Sequence, residues 1–465
     1  MTDCETIAAA VCSIAGVAEC ATVPAPAGDG GAPATCYVVA GENAGGDVAS
    51  DERAQKENWR RVYDNVYESI RGSGAEIDRK VWRSSLAGHA FDDDQLRSIF
   101  EARCAVLAKR RPQRVLDVGC GTAAFIDAVK DTCAYYCGTD FSESAIDAAR
   151  KRVAAASRAE SAFFVREAED FDGLGSGYDM VLVNSVIQHL PSEAALRRLL
   201  TAAVAACADD GVVFVGDVRN SWLQAAYELE ALRSRGTSFA TQHELRNRLL
   251  TGVEREEEML VAPQYFPLTL HGVSRVRGIS ARLVESPYLN ELTQFRYDVT
   301  IEVGASGNPA SGRGATIVEG IANARVAQWA EEARSLLRPK APLPPPAIEW
   351  NAGKPEAASR TCWLRCDELG TFDAMTYRDG ATVPTDDVLL GIDRIDASAP
   401  ADLVRDPMIV ANRRAIVRKA KAAARIAAPN LAVDVFAVDR IPRDGEDPAF
   451  AALRTMTKRS EAQVR

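Results

Sequence analysis

The sequence predicts an α/β fold with a Rossmann-like sheet, and three observations carry that reading. Residues 114–118 form a short apolar run with charged flanks, the length of a buried parallel strand. The run passes directly into Gly119-Cys120-Gly121-Thr122-Ala123, a tight turn that opens a helix predicted over 124–130. Glycines after a strand let the backbone approach a ligand, and the helix start offers unpaired N–H groups. A second strand, 135–139, ends at Asp140, about 20 residues beyond the glycines, where a carboxylate is placed to accept both hydroxyls of a ribose. The unit reads as a nucleoside-binding βαβ half. A dinucleotide fingerprint wants glycine three residues after Gly121, and this chain has Ala124 there.

The bulk properties narrow the classes. A length of 465 residues leaves room for two or three domains. A net charge of −10 argues against a broad nucleic-acid-binding surface. The first residues, MTDCETIAAAVCSIAG, lack the basic start and continuous apolar core of a signal peptide. No run approaches the roughly 20 apolar residues of a membrane span. A soluble, cytoplasmic chain with no membrane partner is expected. The 11 cysteines are odd in number and follow no framework, so they read as free buried thiols in a reducing compartment. His89, His189, His243 and His271 form no metal-ligand spacing, and no metal site is expected.

In order along the chain, residues 6–15 are Ala-rich and helical, 17–23 extended, 27–34 a turn and 35–40 a second strand. A linker over 41–51 leads to a helix on which Trp59, Tyr63 and Tyr67 make one aromatic stripe, either core or a cover over a ligand. An amphipathic helix over 94–110 precedes the first strand of the βαβ unit. After Asp140, Phe141-Ser142 starts a serine-capped helix to about 156. Strands follow at 162–165, ending in Ala168-Glu169-Asp170, and at 178–184, opening into Ser185-Val186-Ile187-Gln188-His189. A helix over 192–208 leads to a fifth strand, 211–215, ending near Asp217. Strand carboxyl ends are where open α/β sheets bind ligands, and each polar cluster sits at one.

The stretch 223–266 is helical and charge-rich, and Glu254-Arg255-Glu256-Glu257-Glu258 reads as a solvated face. A strand is expected within 274–284. Tyr297, Val299, Ile301 and Val303 then alternate with Arg296, Asp298, Thr300 and Glu302, a half-buried strand with Arg296 and Asp298 on its solvated side. Asn290 and Glu291, just before it, are candidates for a substrate-facing loop. Residues 338–357 are Pro-rich and read as a semi-rigid connector. A helix over 412–428 carries Arg413, Arg414, Arg418, Lys419, Lys421 and Arg425, a solvated face or a docking surface for an acidic partner.

The run LDVGCGTAAF resembles the first motif of S-adenosylmethionine-dependent methyltransferases. Ala123 stands where that family often has a third glycine, its methyl group placed toward the cofactor's amino-acid end. GTDFSESAI, NSVIQHLP and GDVRN, with Trp59 and Tyr63 upstream, look like the methyltransferase domains embedded in nonribosomal peptide synthetases. NELTQFRYDV (290–299), GIANARV (320–326) and TFDAMTY (371–377) are similar to later segments of the same domains, so the likeness covers about 52–390. It implies a seven-stranded class I methyltransferase sheet and S-adenosylmethionine as methyl donor. The matching positions are Asp117, Gly119, Cys120 and Gly121 in the loop, Asp140 and Phe141 at the ribose, and Ala168 and Glu169 at the adenine. Asn184 and Ser185 follow at the fourth strand, and Trp59 and Tyr63 come from the helix before. The stretch 221–390 then holds a substrate lid and the antiparallel strands.

The ends resemble something else. Residues 1–48 and 395–465, with the strands ATCYVVA and LAVDVFAV, are similar to the small subdomain of synthetase adenylation domains, an α+β unit split by the insertion. No lysine stands between Pro442 and Leu453, where the family's catalytic lysine belongs, so a non-catalytic remnant is expected. The expected organisation is a helical cap over 52–110, a cofactor-binding core over 111–220 and the remainder over 221–390, between those end pieces.

The resemblance implies methylation of an aminoacyl or peptidyl group on a peptidyl carrier protein, usually at the α-nitrogen. Asn184 and Gln188 are candidates to orient the nucleophile, with Asn290 and Glu291 nearby. His189 is a candidate base, or a packing and hydrogen-bonding residue. Arg413, Arg414, Arg418 and Lys419 are candidates for carrier docking. Two further readings stand: a free-standing O- or N-methyltransferase of a small molecule, and a non-catalytic docking scaffold.

Overall fold

The computed structural model describes residues 3–23, 34–41, 48–70, 82, 84–86, 88–236, 238–239, 241–270, 273–304, 316–337, 359–366, 371–378, 403–438 and 441. The Pro-rich stretch 338–357, most of the turn 27–34 and the tail beyond 441 lie outside these residues.

The chain opens with α1 (Asp3–Cys12), β1 (Val17–Val23) and β2 (Ala34–Ala40). Two helices follow, α2 (Val48–Ile70), which carries the aromatic stripe, and α3 (Asp93–Ala108). The nucleoside-type unit is β3 (Arg114–Val118), α4 (Ile126–Val129), β4 (Tyr135–Asp140), α5 (Glu143–Ala156) and β5 (Glu160–Val165). Then come β6 (Tyr178–Asn184), α6 (Glu193–Ala206) and β7 (Cys207–Arg219). Ser142 and Ser192 cap α5 and α6, their hydroxyls accepting the amides of Ala145 and Ala195. The charge-rich stretch supplies α7 (Gln224–Ser234), α8 (Gln242–Arg255), β8 (Leu260–Val261) and α9 (Tyr265–Leu270). Next are β9 (Val276–Arg282), α10 (Glu291–Gln294), β10 (Arg296–Val303), β11 (Thr316–Ala322) and α11 (Ala327–Leu337). β12 (Ser359–Cys366), β13 (Thr371–Arg378), β14 (Val404–Arg405), α12 (Pro407–Ala427) and β15 (Val433–Val438) complete the order.

The central sheet runs β9-β10-β7-β6-β3-β4-β5. Five strands, β7 to β5, are parallel, and β10 is antiparallel to both β7 and β9. This is the expected seven-stranded mixed sheet. The structure adds β12, β13 and β11 beyond β9, antiparallel throughout, for ten strands in all. Both faces are covered, and the alternation of a strand divides β6 between them. Val181 and Val183 pack toward α6 and α9 with Leu196, Leu199 and Phe266. Met180 and Leu182 pack toward α3, α4 and α5 with Phe100, Ile126 and Ile146. Burying a side chain of this size contributes about 1.5–3 kcal/mol, which is why the sheet, and not helix propensity, holds the molecule together.

The two ends of the chain meet. β1, β2 and β15 form a second sheet in which β15 lies parallel to β2. α1 and α12 cover it with Ile7, Val11, Ile416, Ala420 and Ala424, a core separate from those of the large sheet.

Two expectations need correction. β10 is not half-solvated: Asp298 is 3 % exposed and Thr300 4 %, because α3 covers the face on which the sequence places them. Nor are all cysteines free, since Cys12 and Cys20 form a disulfide between α1 and β1, while the other described thiols are unbridged.

Candidate functional site

Two joined chambers open at the carboxyl ends of the parallel strands, under α2. The first is lined by Trp59, Asp140, Phe141, Ala168 and Glu169, the second by Asp117, Cys120, Asn184, Gln188 and Glu291. Tyr63, Gly119, Ser185 and His189 line both.

The loop after β3 is shaped by backbone need. Gly119 has φ +64°, and a Cβ there would stand 2.4 Å from the Val186 side chain. Gly121 has φ +53°, and its Cβ would stand 2.8 Å from the Tyr67 hydroxyl. Only glycine meets both demands, so the loop backbone packs directly against Val186 and Tyr67 where it lines the chambers. Ala123 also has positive φ, +57°, but its methyl group is fully buried in the core beside Phe100 and Phe125. The expectation that this methyl faces the cofactor's amino-acid end is therefore corrected: the turn rotates it away, and Thr122 and Ala124 line the chamber instead.

Asp140 closes the loop. Its carboxylate accepts the amides of Gly121 at 3.0 Å and Ser142 at 2.9 Å. Burial pushes it up to about 6 despite those bonds. Asp117 sits on the floor of the second chamber, accepts the Tyr136 hydroxyl, and is pushed up to about 7 by burial. Burial likewise raises the Cys120 thiol, which stays protonated.

α2 lies over the first chamber and is tied down at both flanks. Lys56 pairs with Glu169, and Arg60 reaches Glu167 at 2.6 Å. Between them the Tyr63 hydroxyl meets His189 Nε2 at 2.7 Å, and the Trp59 ring lies 4.4 Å from the imidazole. Tyr63 also meets Phe141 edge-on at 5.9 Å. The aromatic stripe is thus a cover over the cavity. Burial holds His189 down at about 4, so the imidazole is neutral at neutral pH, and its Nδ1 has no hydrogen-bond partner.

Behind the second chamber lies an ion network that the sequence reading did not anticipate. Asp217, fully buried with φ +66°, accepts Ser185 Oγ at 2.8 Å and Arg296 Nη1 at 2.7 Å on one oxygen. Its other oxygen lies 3.3 Å from Arg103, which also spans both oxygens of Asp298 at 3.1 Å. Asn184 donates to Ser185 Oγ at 2.9 Å and keeps Oδ1 without a partner, as does Gln188 Oε1. Arg219 holds Glu258 at 2.7 Å and Glu256 at 2.6 Å. Burial alone would raise Glu258, but the charges of Arg219, His189 and Arg296 outweigh it and hold the carboxyl at about 2. Glu258 and Arg296 line the second chamber with His189.

Of the two residues placed before β10, Glu291 lines the second chamber and Asn290 does not. Glu291 is buried and accepts from Ser84 Oγ at 2.8 Å, Leu86 N at 3.0 Å and Ser85 N at 3.1 Å, clamping segment 84–86 to the chamber wall. Asn290 caps α10, accepting Leu292 N at 3.0 Å, and is not among the chamber-lining residues. Glu258 and Arg296 were missed because each lies in a pattern that reads as surface: an acidic run, and an alternating strand. The signal available was the apolar Met259-Leu260-Val261, which ends the solvated stretch one residue after Glu258.

The comparisons agree with this geometry. The model of a methyltransferase-domain family matches residues 116–213, the span from β3 through the start of β7. A probable non-canonical nonribosomal peptide synthetase, CymA, of Salinispora arenicola is 31% identical over 295 residues, 62% of this chain and 4% of that protein. Chondramide synthase cmdD of Chondromyces crocatus is 27% identical over 252 residues, 54% of this chain and 6% of its own length. The beauvericin nonribosomal cyclodepsipeptide synthetase of Beauveria bassiana is 26% identical over 280 residues, 57% of this chain and 8% of that protein. The chain therefore spans less than a tenth of these curated relatives. Among the described residues no helix is long and apolar enough to cross a membrane.

Proposed function

We propose that this S-adenosylmethionine-dependent methyltransferase acts on the α-nitrogen of an aminoacyl or peptidyl group tethered to a carrier protein. The likeness to nonribosomal synthetases carries the reading, since more than half of this chain is similar to such proteins. The chambers fit the donor: the turn of Gly119 and Gly121 lines them, and Asp140, bonded to the Gly121 amide, stands at the wall of the first. In that reading Asp140 takes the ribose hydroxyls, while Phe141, Ala168 and Glu169 border the adenine. Trp59 and Tyr63 close the cover. When bound, S-adenosylmethionine supplies a methyl group carried on a sulfonium.

The chain's own residues then position and desolvate the nucleophile, which is most of what an in-line displacement needs. Asn184 and Gln188 line the second chamber, and their side-chain amides, whose oxygens have no hydrogen-bond partner, are assigned to orient the substrate nucleophile. A hydroxyl nucleophile needs a base as it attacks, whereas an amine sheds its proton to water beforehand. His189, neutral and held at about 4, is a weak base, which favours the amine over the hydroxyl. Carrier docking is assigned to α12, where Arg418 and Lys419 are exposed and Arg413 and Arg414 lie beside them.

The test is transfer of labelled methyl to an aminoacyl-loaded carrier protein and to the same free amino acids. Label on the loaded carrier, weakened by Arg418→Glu with Lys419→Glu, is the expected result. Label on the free amino acid alone overturns the tethered substrate.

A further inference from the structure

Of the four carboxylates that line the second chamber, Asp117, Asp217 and Glu291 are almost fully buried, and Glu258 is the one left accessible. Glu258 lies just past α8 and is brought to the site by two bonds. The Met259 amide donates to the Gln188 carbonyl at 2.9 Å, which sets Glu258 beside the Gln188-His189 turn. Arg219 Nη1 holds Glu258 Oε2 at 2.7 Å, leaving Oε1 for a ligand. The side chain is 25 % exposed and lines the second chamber. Around it stand Gln188, itself 3 % exposed with Oε1 unpartnered, and Arg296, fixed by Asp217.

From this geometry we infer that Glu258 is the specificity determinant for a nitrogen nucleophile: its carboxylate accepts an N–H of the substrate amine and faces the positive charge that forms there. This rests on the methyltransferase reading. As the N–C bond forms and the S–C bond breaks, the nitrogen becomes a cation, and it later releases a proton to water. A preorganised carboxylate beside a developing cation stabilises it more than water does in a partly closed cavity. A hydroxyl offers the same carboxylate a single O–H donor and, before deprotonation, no comparable charge. Glu258 is held far too acidic to act as its base. Arg219 and Arg296 keep Glu258 ionised, so its role is charge and not proton transfer.

The test is calorimetric binding to the complex with S-adenosylhomocysteine, using aminoacyl-pantetheine amides of alanine, valine and phenylalanine against their α-hydroxy counterparts. Wild type should bind the best amine at least about tenfold tighter than its hydroxy twin. Glu258→Gln should bring the pair to within about twofold, and Glu258→Asp should keep most of the preference. Equal weakening of amine and hydroxy ligands in Glu258→Gln would mean a merely structural role and overturn the inference. So would an unchanged preference in Glu258→Gln, or no preference in wild type. The amine preference is read without turnover, so a failure of carrier methylation would strike the tethered-substrate reading and leave this one standing.

Discussion

Asp140 is asked to satisfy two backbone amides and still to have lone pairs left for a ribose. A carboxylate offers about four acceptor positions, and two are spent on Gly121 and Ser142. Replacing it with alanine should weaken S-adenosylhomocysteine binding by roughly 1.5–3 kcal/mol, about tenfold or more by calorimetric titration. Unchanged affinity would remove Asp140 from the ribose site. Its pH dependence has a definite sign. The ionised form accepts the hydroxyls, and burial sets its midpoint at about 6, so affinity should hold above pH 7 and fall as pH drops through 6. An affinity flat from pH 7.5 to 5 would contradict this. Ala123 gives the opposite kind of prediction. Its methyl group points into the core, so Ala123→Gly should leave cofactor affinity within about twofold, the loss of one buried methyl being felt in stability alone.

At the scale of elements, α2 is the cover and its fastenings differ in kind. Tyr63 and Trp59 hold it to His189 by contact, while Lys56 and Arg60 hold it to Glu169 and Glu167 by charge, with each of those four side chains 11–41 % exposed. Charge pairs at that exposure are screened by salt. Hydrogen exchange in 52–68 should therefore rise on going from about 0.05 to 0.5 M salt, where the Debye length shrinks from about 14 to 4 Å, while exchange in β3 and β4 stays put. Equal protection at both salts would show that the aromatic contacts suffice.

The same element shows why some of the molecule was legible and some was not. The aromatic stripe was visible at i, i+4 and i+8, and so were β3, β4 and β6, since an apolar run ended by glycine or acid has few other uses. What closed over the stripe was not visible, because Glu167 and Glu169 lie about a hundred residues away. Arg296 and Asp298 were misread for a related reason. Alternation tells which residues share a face, but whether solvent or α3 covers that face is decided by Arg103, nearly 200 residues upstream. Glu258 was hidden by its acidic neighbours, of which only Glu257 does what the run suggests, pairing at the surface with Arg414.

For the whole molecule the informative fact is that two cores are independent. Ile7, Val11, Ile416, Ala420 and Val435 make one, and none of them contributes to the packing of the large sheet. Ala420→Asp would bury an unpaired carboxyl in the small core at a cost on the order of 3–5 kcal/mol. The expected outcome is melting of the small sheet in exchange or proteolysis experiments, with S-adenosylhomocysteine binding retained. Loss of both together would show that the small unit is needed for the large one to fold.

Because β15 is zipped in parallel against β2, residues 3 and 438 belong to one small unit of α1, β1, β2, α12 and β15, with the chain from α2 to β14 looped out of it. Tension applied between those two residues would enter and leave through that unit. The six paired positions from Val433↔Ala34 to Val438↔Val39 would carry the load in shear. The catalytic sheet, bridged by this link, would feel no force until the link gave way, so the small unit is placed to act as a mechanical fuse in series with the chain.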